Sequence, residues 1–101
     1  MDKLIQVDTI IHAPVRLSIM TILASVKNAD FSYLKEATGV TDGNLSTHIA
    51  KLEDAKYIRT VKRFEYKKPR TTCSITSKGR SAFRSYVSVL ENYLKGSAGK
   101  D

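Results

Sequence analysis

The chain has 101 residues, of which 42% are hydrophobic, and its formal net charge is +7. This length suits one domain with its own core. No window approaches the roughly 18 apolar residues of a membrane-spanning helix, and the first ten residues lack a signal-peptide core. We therefore expect a single cytoplasmic domain over residues 1–95 and a disordered tail over residues 96–101. Cys73 is the only cysteine, which excludes an internal disulfide and a cysteine-based zinc site.

Most of the positive charge lies in residues 56–70. This segment has seven basic residues against Glu65 alone, which gives it a net charge of +6. Such a concentrated basic block in a folded chain indicates a polyanionic partner, most often nucleic acid. The alternatives are a solvated charged loop and a surface for acidic lipid. Since the block contains no amphipathic basic helix, we do not expect a membrane partner.

Two helices are predicted at the start of the chain. Leu4, Val7 and Ile11 recur at helical spacing and predict a short apolar helix over residues 3–12, which covers a core edge or meets a partner subunit. Pro14 suits the first turn of a second helix. The buried side of that second helix is expected to consist of Val15, Ile19, Ile22, Leu23 and Val26.

A helix-turn-helix arrangement is predicted in the middle of the chain. After a turn over residues 27–30, Ser32 caps a short helix that Gly39 stops as a left-handed residue. Thr41 or Asp42 then caps a further helix, because a short side-chain oxygen can accept from the free amides of a first turn. Two helices joined by so tight a turn are typical of DNA-binding helix-turn-helix units.

The helix after this turn has two contrasting faces. Leu45, Ile49 and Leu52 form one apolar stripe. The opposite face has short hydrogen-bonding groups where a solvated face usually has long charged ones, and such groups suit contacts with base edges. Taken alone, the helix leaves an ordinary solvated face equally open. The polar face consists of Asn44, Ser46, Thr47, His48 and Lys51.

A β-hairpin with a basic tip is predicted next. Residues 58–66 and 71–75 are rich in β-branched and aromatic residues, which predicts two strands. Residues 67–70 form the turn between them. Cys73 is interpreted as a half-buried core residue, with redox sensing as the less favoured alternative.

The last helix is predicted over residues 77–95, with Thr76 as its cap. Its apolar residues form two adjacent columns, although one column is enough to dock on a small domain. We expect the second column to face another copy of the chain. The columns consist of Ala82, Phe83, Tyr86, Val87, Val89, Leu90, Tyr93 and Leu94.

The order of these elements is that of a winged helix-turn-helix domain, and several segments resemble the MarR/ArsR superfamily of regulators, most narrowly its small single-domain MarR-like members. The resemblance extends over residues 10–94. It implies a mainly α fold with a β-hairpin wing: a three-helix core, a two- or three-stranded wing and terminal dimerisation helices. The segments that carry it are residues 13–19, 34–40, 44–53 and 76–80.

The resemblance implies a homodimeric, sequence-specific regulator of transcription that inserts two recognition helices into successive major grooves of double-stranded DNA. The wings are expected to lie along or in the minor groove. The implied DNA-binding residues are Thr41, Gly43, Asn44, Ser46, Thr47, His48, Lys51, Arg63, Lys67, Lys68 and Arg70. The implied dimer interface consists of Leu4, Val7, Ile11, Phe83, Tyr86, Val87, Leu90, Tyr93 and Leu94.

The mode of action is expected to be repression by promoter occupancy, although activation is equally compatible with the sequence. No catalytic function, metal or cofactor is expected. The short terminal helices argue against a small-molecule effector, which nevertheless stays open. The alternative function is a winged-helix module that binds RNA or a protein without reading bases. The operator and the regulated genes stay open.

Arg16 and His48 each allow two interpretations. Arg16 is either a surface arginine or a residue that contacts a phosphate or a nearby acid, and the first interpretation is slightly favoured. For His48, a boundary residue and a contact with DNA are equally favoured. Asn44 is the stronger base-reading candidate, because its amide can form two hydrogen bonds with adenine.

Overall fold

Residues 4–98, which the computed structural model describes, form four helices and three strands around one core. The three strands form one antiparallel sheet in the order β1-β3-β2. The expected winged helix-turn-helix architecture is confirmed, and the wing, predicted to have two or three strands, belongs to a three-stranded sheet. The elements in chain order are α1 (Pro14–Ser25), β1 (Ala29–Asp30), α2 (Phe31–Thr38), α3 (Asp42–Asp54), β2 (Ile58–Glu65), β3 (Lys68–Ile75) and α4 (Ser77–Ala98).

The helix predicted over residues 3–12 is wrong. The described part of this segment has no regular structure up to a turn at residues 9–11. The Asp8 carboxylate accepts hydrogen bonds from the amides of Ile10 and Ile11, at 2.8 and 3.2 Å. Such a bond from a side chain to nearby amides competes with helix formation. The segment is therefore held as a capped turn rather than as a helix.

The core lies between α1, α2, α3 and the inner face of the sheet. Pro14 occupies the first turn of α1, as predicted, and the predicted apolar stripe of α3 is buried. Burying one large apolar side chain contributes roughly 1.5–3 kcal/mol, so this stripe fixes the orientation of α3. The fully buried large side chains are Ile11, Ile19, Met20, Leu23, Leu34, Leu45, Leu52 and Cys73.

The helix α2 ends as predicted but begins earlier. Gly39 has φ 72° and its amide donates to the Lys35 carbonyl at 2.8 Å, which closes the helix with a left-handed residue. The N-cap is Asp30, so Ser32 lies inside the first turn and the predicted Ser32 cap is wrong. The predicted turn over residues 27–30 is also partly wrong, since its last two residues form β1 and pair with β3.

Both ends of α3 are closed by local hydrogen bonds. The Thr41 hydroxyl accepts from the Asn44 amide at 3.1 Å, which confirms Thr41 as the cap. At the other end Lys56 has φ 67°, and the amides of Lys56 and Tyr57 donate to carbonyls of the last turn at 2.8 and 3.0 Å. This is a Schellman arrangement. It turns the chain sharply from α3 into the hairpin.

The hairpin turn differs from the prediction. Strands β2 and β3 pair without interruption from Ile58 with Ile75 to Glu65 with Lys68. Only two residues connect them, with φ values of 50° and 65°. A two-residue turn with both φ values positive matches the twist of the flanking strands. The predicted basic turn over residues 67–70 is therefore wrong, because its last three residues belong to β3.

The long helix α4 begins at its predicted cap and extends beyond its predicted end. Thr76 Oγ1 accepts from the Gly79 amide at 2.9 Å. The helix continues through residues 96–98, so the tail predicted to be disordered from residue 96 is helical there. A glycine costs a helix only about 1 kcal/mol relative to alanine, so Gly96 does not by itself end it. Residues 99–101 lie outside the described residues.

Candidate nucleic-acid interface

The polar face of α3 is presented to solvent on a buried support. Asn44, Ser46 and Thr47 are exposed, whereas the stripe on the other side of the helix is buried. Within the described part of the chain, the Asn44 amide group has no hydrogen-bond partner. The Thr47 hydroxyl donates to the Gly43 carbonyl at 3.0 Å. Its oxygen therefore remains available as an acceptor, so the face offers both donors and acceptors.

His48 is tied to α1 by Arg16. The Arg16 Nη1 atom lies 2.8 Å from His48 Nδ1, and Arg16 Nε donates to the Ile10 carbonyl at 2.5 Å. Both side chains are half-buried, so the interpretation of Arg16 as a surface arginine is wrong. Burial lowers the pKa of His48, and the positive charges of Arg16 and Lys51 lower it further. His48 is therefore neutral at physiological pH.

Side chains in the first turn of α3 and at its cap are already engaged in contacts within the chain, unlike most of those on its polar face. The Thr41 hydroxyl already accepts a hydrogen bond as the cap. Asp42 forms an ion pair with Lys35 of α2 at 2.8 Å. The space around Gly43 is open, since a Cβ atom there would have no neighbour within 4 Å. Thr41 is therefore engaged within the chain, whereas the space around Gly43 is open.

The two faces of the hairpin carry different basic residues. Paired residues share a face and successive residues alternate, so Lys62 lies on the face turned toward α3 and Arg63 on the opposite face. Lys62 also lines a cavity of about 320 Å³ with Ser46 of α3. Lys62 was not among the predicted DNA-binding residues. Counting alternate residues from the buried Ile58 would have identified it.

The other predicted hairpin residues differ in how free their charges are. Lys67 and Lys68 are exposed near the tip. Arg70 forms ion pairs with Glu65 at 3.2 Å and with Asp30 at 3.8 Å. These two carboxylates compete with phosphate for Arg70, which makes it a weaker candidate for contacting DNA than the two lysines.

Two aromatic residues of the hairpin were also missed. Phe64 is 77% exposed and Tyr66 is 97% exposed. Phe64 shares its face with Lys62, because the two residues are two positions apart on the same strand. Apolar side chains among lysines are able to contact sugars or bases while the lysines contact phosphates. The aromatic content of the predicted strand was the available signal.

Cys73 lies in the core, at the base of the hairpin. It is fully buried, more than the predicted half-buried state. Burial raises the pKa of its thiol to about 11, and the nearby Glu53 carboxylate contributes to the rise. A buried thiol that is protonated at neutral pH is a poor nucleophile. The position therefore favours the core interpretation of Cys73 over redox sensing.

The residues predicted for a dimer interface divide into three groups. Leu4, Tyr93 and Leu94 are the most exposed, at 86%, 46% and 56%. Ile11 and Tyr86 lie inside the core of the chain itself, and the Tyr86 hydroxyl lies 2.8 Å from His12 Nδ1. Their assignment to a partner-facing surface is wrong, because they have almost no free area. Val87 is exposed at 36%, and Val7, Phe83 and Leu90 are half-buried against the core.

Neither a metal site nor a membrane span is formed by the described residues. Among them, no three His, Cys, Asp or Glu side chains form a group that could hold a metal ion. No helix between residues 4 and 98 is long and apolar enough to cross a membrane.

The sequence comparisons identify a family and a relative. Residues 15–94 match the family of winged helix DNA-binding domains. An uncharacterized protein of Methanocaldococcus jannaschii is 38% identical over 78 residues, which cover 77% of this chain and 85% of that protein.

Solved structures of similar shape are described as transcriptional regulators. A transcriptional regulator homologue from Pyrococcus horikoshii superimposes with a TM-score of 0.80 and 34% identity, over 86% of each chain. A MarR-family protein from Enterococcus faecalis superimposes with a TM-score of 0.73 over 98% of this chain and 96% of its own. Because its identity is only 19%, this second similarity concerns the fold alone.

Proposed function

The chain belongs to the winged helix DNA-binding domain family, and on that premise we propose that it is a homodimeric, sequence-specific regulator of transcription of the MarR/ArsR type. Repression by promoter occupancy in the cytoplasm is the proposed mode of action. The proposal assigns no catalytic step, metal or cofactor to the chain.

The polar face of α3 is the observation that carries this proposal. Its short side chains are exposed beside a basic hairpin, and a buried apolar stripe holds the helix in place. Short donors and acceptors on a fixed helix suit base edges in the major groove. The solvent face of an ordinary helix usually carries long charged side chains, whereas this face has short polar groups beside a basic hairpin.

The hairpin would supply affinity that does not depend on sequence. Its free lysines suit contacts with phosphates, which position a protein on the duplex. Lys62 and Ser46 line the same cavity between the hairpin and α3. A sugar-phosphate backbone passing between these two elements would meet Lys62 on one side and the polar face of α3 on the other.

Dimerisation is proposed through α4. This helix has 22 residues, which corresponds to a length of about 33 Å. Its half-buried residues pack on the core of the chain, while Val87, Tyr93 and Leu94 remain exposed. Recognition of two half-sites requires two α3 helices, and a second copy that covers this apolar surface would supply the second one.

Selection from random duplex DNA at near-physiological salt tests base readout. Enrichment of a palindrome whose half-sites lie about one helical turn, roughly 34 Å, apart is expected. Binding that fades with salt while no sequence is enriched would contradict sequence-specific readout.

Sedimentation equilibrium tests the dimer. The wild-type chain is expected to be dimeric at micromolar concentration and Leu94→Glu monomeric, because a charge in an apolar interface is left desolvated and unpaired. Val26→Glu is the matched control, since Val26 is 42% exposed at the end of α1, outside the proposed interface. A monomeric wild-type chain, or equal effects of the two variants, would contradict the proposal.

A second candidate function is binding of single-stranded RNA, and the exposed Phe64 and Tyr66 favour it. Unpaired bases stack on aromatic side chains, each stacked base contributing roughly 1–3 kcal/mol. Competition between duplex DNA and single-stranded RNA of equal length separates the candidates. Preferential binding of the RNA would support this second function, whereas preferential binding of the duplex supports the first.

A further inference from the structure

A pair of side chains connects α1 to the polar face of α3. Arg16 Nη1 lies 2.8 Å from His48 Nδ1. An arginine side chain has only hydrogen-bond donors, so the histidine nitrogen that it contacts must be the acceptor. Nδ1 of His48 is therefore unprotonated in this arrangement.

The acceptor role of Nδ1 determines the rest of the ring. A neutral imidazole with a lone pair on Nδ1 carries its proton on Nε2. Burial and the neighbouring positive charges keep the pKa of His48 below its ordinary value, so the neutral form prevails. The two nitrogens point in divergent directions from the ring. When Nδ1 faces Arg16, Nε2–H points away from it.

Arg16 is itself anchored by the irregular N-terminal segment. Its Nε donates to the Ile10 carbonyl at 2.5 Å. This carbonyl has no helical partner available, because the residue four positions later is Pro14, which lacks an N–H. The Ile10 amide in turn donates to the Asp8 carboxylate at 2.8 Å. The capped turn therefore supplies a fixed acceptor that orients Arg16.

We propose that Arg16 is a positioning residue for DNA readout: it holds His48 as the Nε2–H tautomer, so that α3 presents one fixed donor to an acceptor on a base edge. The inference rests on the proposed role of α3 as the recognition helix. In the major groove the matching acceptors are purine N7, guanine O6 and thymine O4. The cytosine amino group is a donor and would leave the Nε2–H group unpaired, which is costly in a desolvated interface.

The tautomer of His48 determines whether this residue discriminates between bases or accepts several of them. A histidine free to exchange its proton between the two nitrogens can offer a donor to one base and an acceptor to another. With Nδ1 occupied by Arg16, only the donor remains. Arg16 thus acts through His48, without itself touching a base.

Nitrogen-15 NMR of the free protein tests the positioning role directly. The wild-type spectrum is expected to show His48 as the Nε2–H tautomer, and Arg16→Met is expected to show mixed tautomers with a higher pKa of His48. Arg80→Met is the matched control, because Arg80 also donates to a backbone carbonyl, that of Ala24 at 3.1 Å, but lies in α4, away from His48. An unchanged tautomer in Arg16→Met would overturn the proposal.

Binding to the selected duplex and to its single-base variants tests readout. Arg16→Met and His48→Ala are each expected to lose about 10-fold in discrimination at the same base position, and the double variant no more than either single one. Arg80→Met is expected to keep the discrimination. Equal weakening on every duplex would point to a phosphate contact and overturn the base-reading role. If the selection enriches no sequence, the proposed function fails, whereas the NMR result still decides whether Arg16 sets the tautomer.

Discussion

The helix α3 and the hairpin of β2 and β3 are both proposed to contact DNA, but they differ in how their side chains are supported. One whole face of α3 is buried, its N-terminus is capped by Thr41, and its polar side chains are short. The outer hairpin carries long basic side chains that are mostly exposed. Reading bases requires groups fixed to within a fraction of an ångström, whereas phosphate attraction tolerates mobility because it acts over a Debye length of roughly 8 Å.

The hairpin is tied to the rest of the domain by hydrogen bonds at its base. There the Thr76 amide donates to the Tyr57 carbonyl at 3.0 Å, and the Thr76 hydroxyl contacts the Lys56 carbonyl at 2.6 Å. Gly79 lies against the same Tyr57 carbonyl, where no side chain fits. The helix α3 is thus supported along its length, whereas the hairpin is supported at one end.

The largest effect is expected from filling the space at the hairpin base. In Gly79→Ala the new Cβ atom would lie 2.0 Å from the Tyr57 carbonyl oxygen. Because this neighbour is backbone, the clash is expected to cost about 3 kcal/mol or more. Gly43→Ala in α3 is the matched control: its Cβ meets nothing within 4 Å, and it should gain about 0.5–1 kcal/mol. Urea denaturation measures both, and similar stabilities would contradict the clash expected at the base.

Removal of a base-reading amide should change specificity without changing the fold. Asn44→Ala is expected to lose about 1–3 kcal/mol on the selected site, through one base position. Binding to nonspecific duplex should stay the same, because the amide is neutral and makes no phosphate charge contact. Titrations of both duplexes measure the difference. An equal loss on both duplexes would show that Asn44 positions the protein rather than reads a base.

Removal of a hairpin charge should do the reverse. Lys68→Ala is expected to weaken binding to all duplexes alike and to reduce the salt dependence by about one counterion. Arg70→Ala is the matched control in the same strand and should change the salt slope less, because Glu65 and Asp30 already partly neutralise Arg70. Titrations at several salt concentrations compare the two. An equal slope change would mean that DNA displaces these ion pairs.

The same contrast explains what the sequence predicted well. The stripe, cap and polar face of α3 are local patterns, so they were visible without tertiary information. Gly39 and Thr76 act within a few residues of their own positions and were also identified. The hairpin and the order of the helices from residue 14 onward followed from these elements together with the family resemblance, whereas the third strand, β1, had been predicted as part of a turn.

The wrong predictions arise where a segment's local pattern is overruled by other hydrogen-bonding or packing partners. Residues 3–12 have helical spacing, but the Asp8 carboxylate captures two amides of this segment. At the hairpin, Pro69 suggested a turn, whereas strand pairing is continuous to Lys68 and leaves only two residues to turn. The contact of Arg16 with His48 joins positions 32 residues apart. No spacing rule reveals such a contact, because it depends on how α1 packs against α3.

The smallest expected effect is on the pH dependence of stability, which differs between the hairpin base and α3. The pKa of Tyr57 is raised to about 12, first by burial and then by its hydrogen bond to Asp8, and that of Cys73 is raised to about 11. Folding raises the pKa of both groups. Each group's contribution to the free energy of unfolding is therefore fully present below the pKa that the group has in the unfolded chain. This stability is lost as pH rises, from about 9 to 11 for Cys73 and from about 10 to 12 for Tyr57.

His48 has the opposite sign. Its pKa is lowered from 6.5 in the folded chain, so the unfolded chain takes up the proton first and stability is lost as pH falls through this range. The alkaline loss therefore reports on the hairpin base, where Tyr57 and Cys73 lie, and the acid loss on α3. Urea midpoints from pH 5 to 11 are expected to flatten on the alkaline side in Tyr57→Phe and on the acid side in His48→Ala. If either variant altered both sides equally, α3 and the hairpin base would behave as one titrating unit, and the contrast between them would not extend to stability.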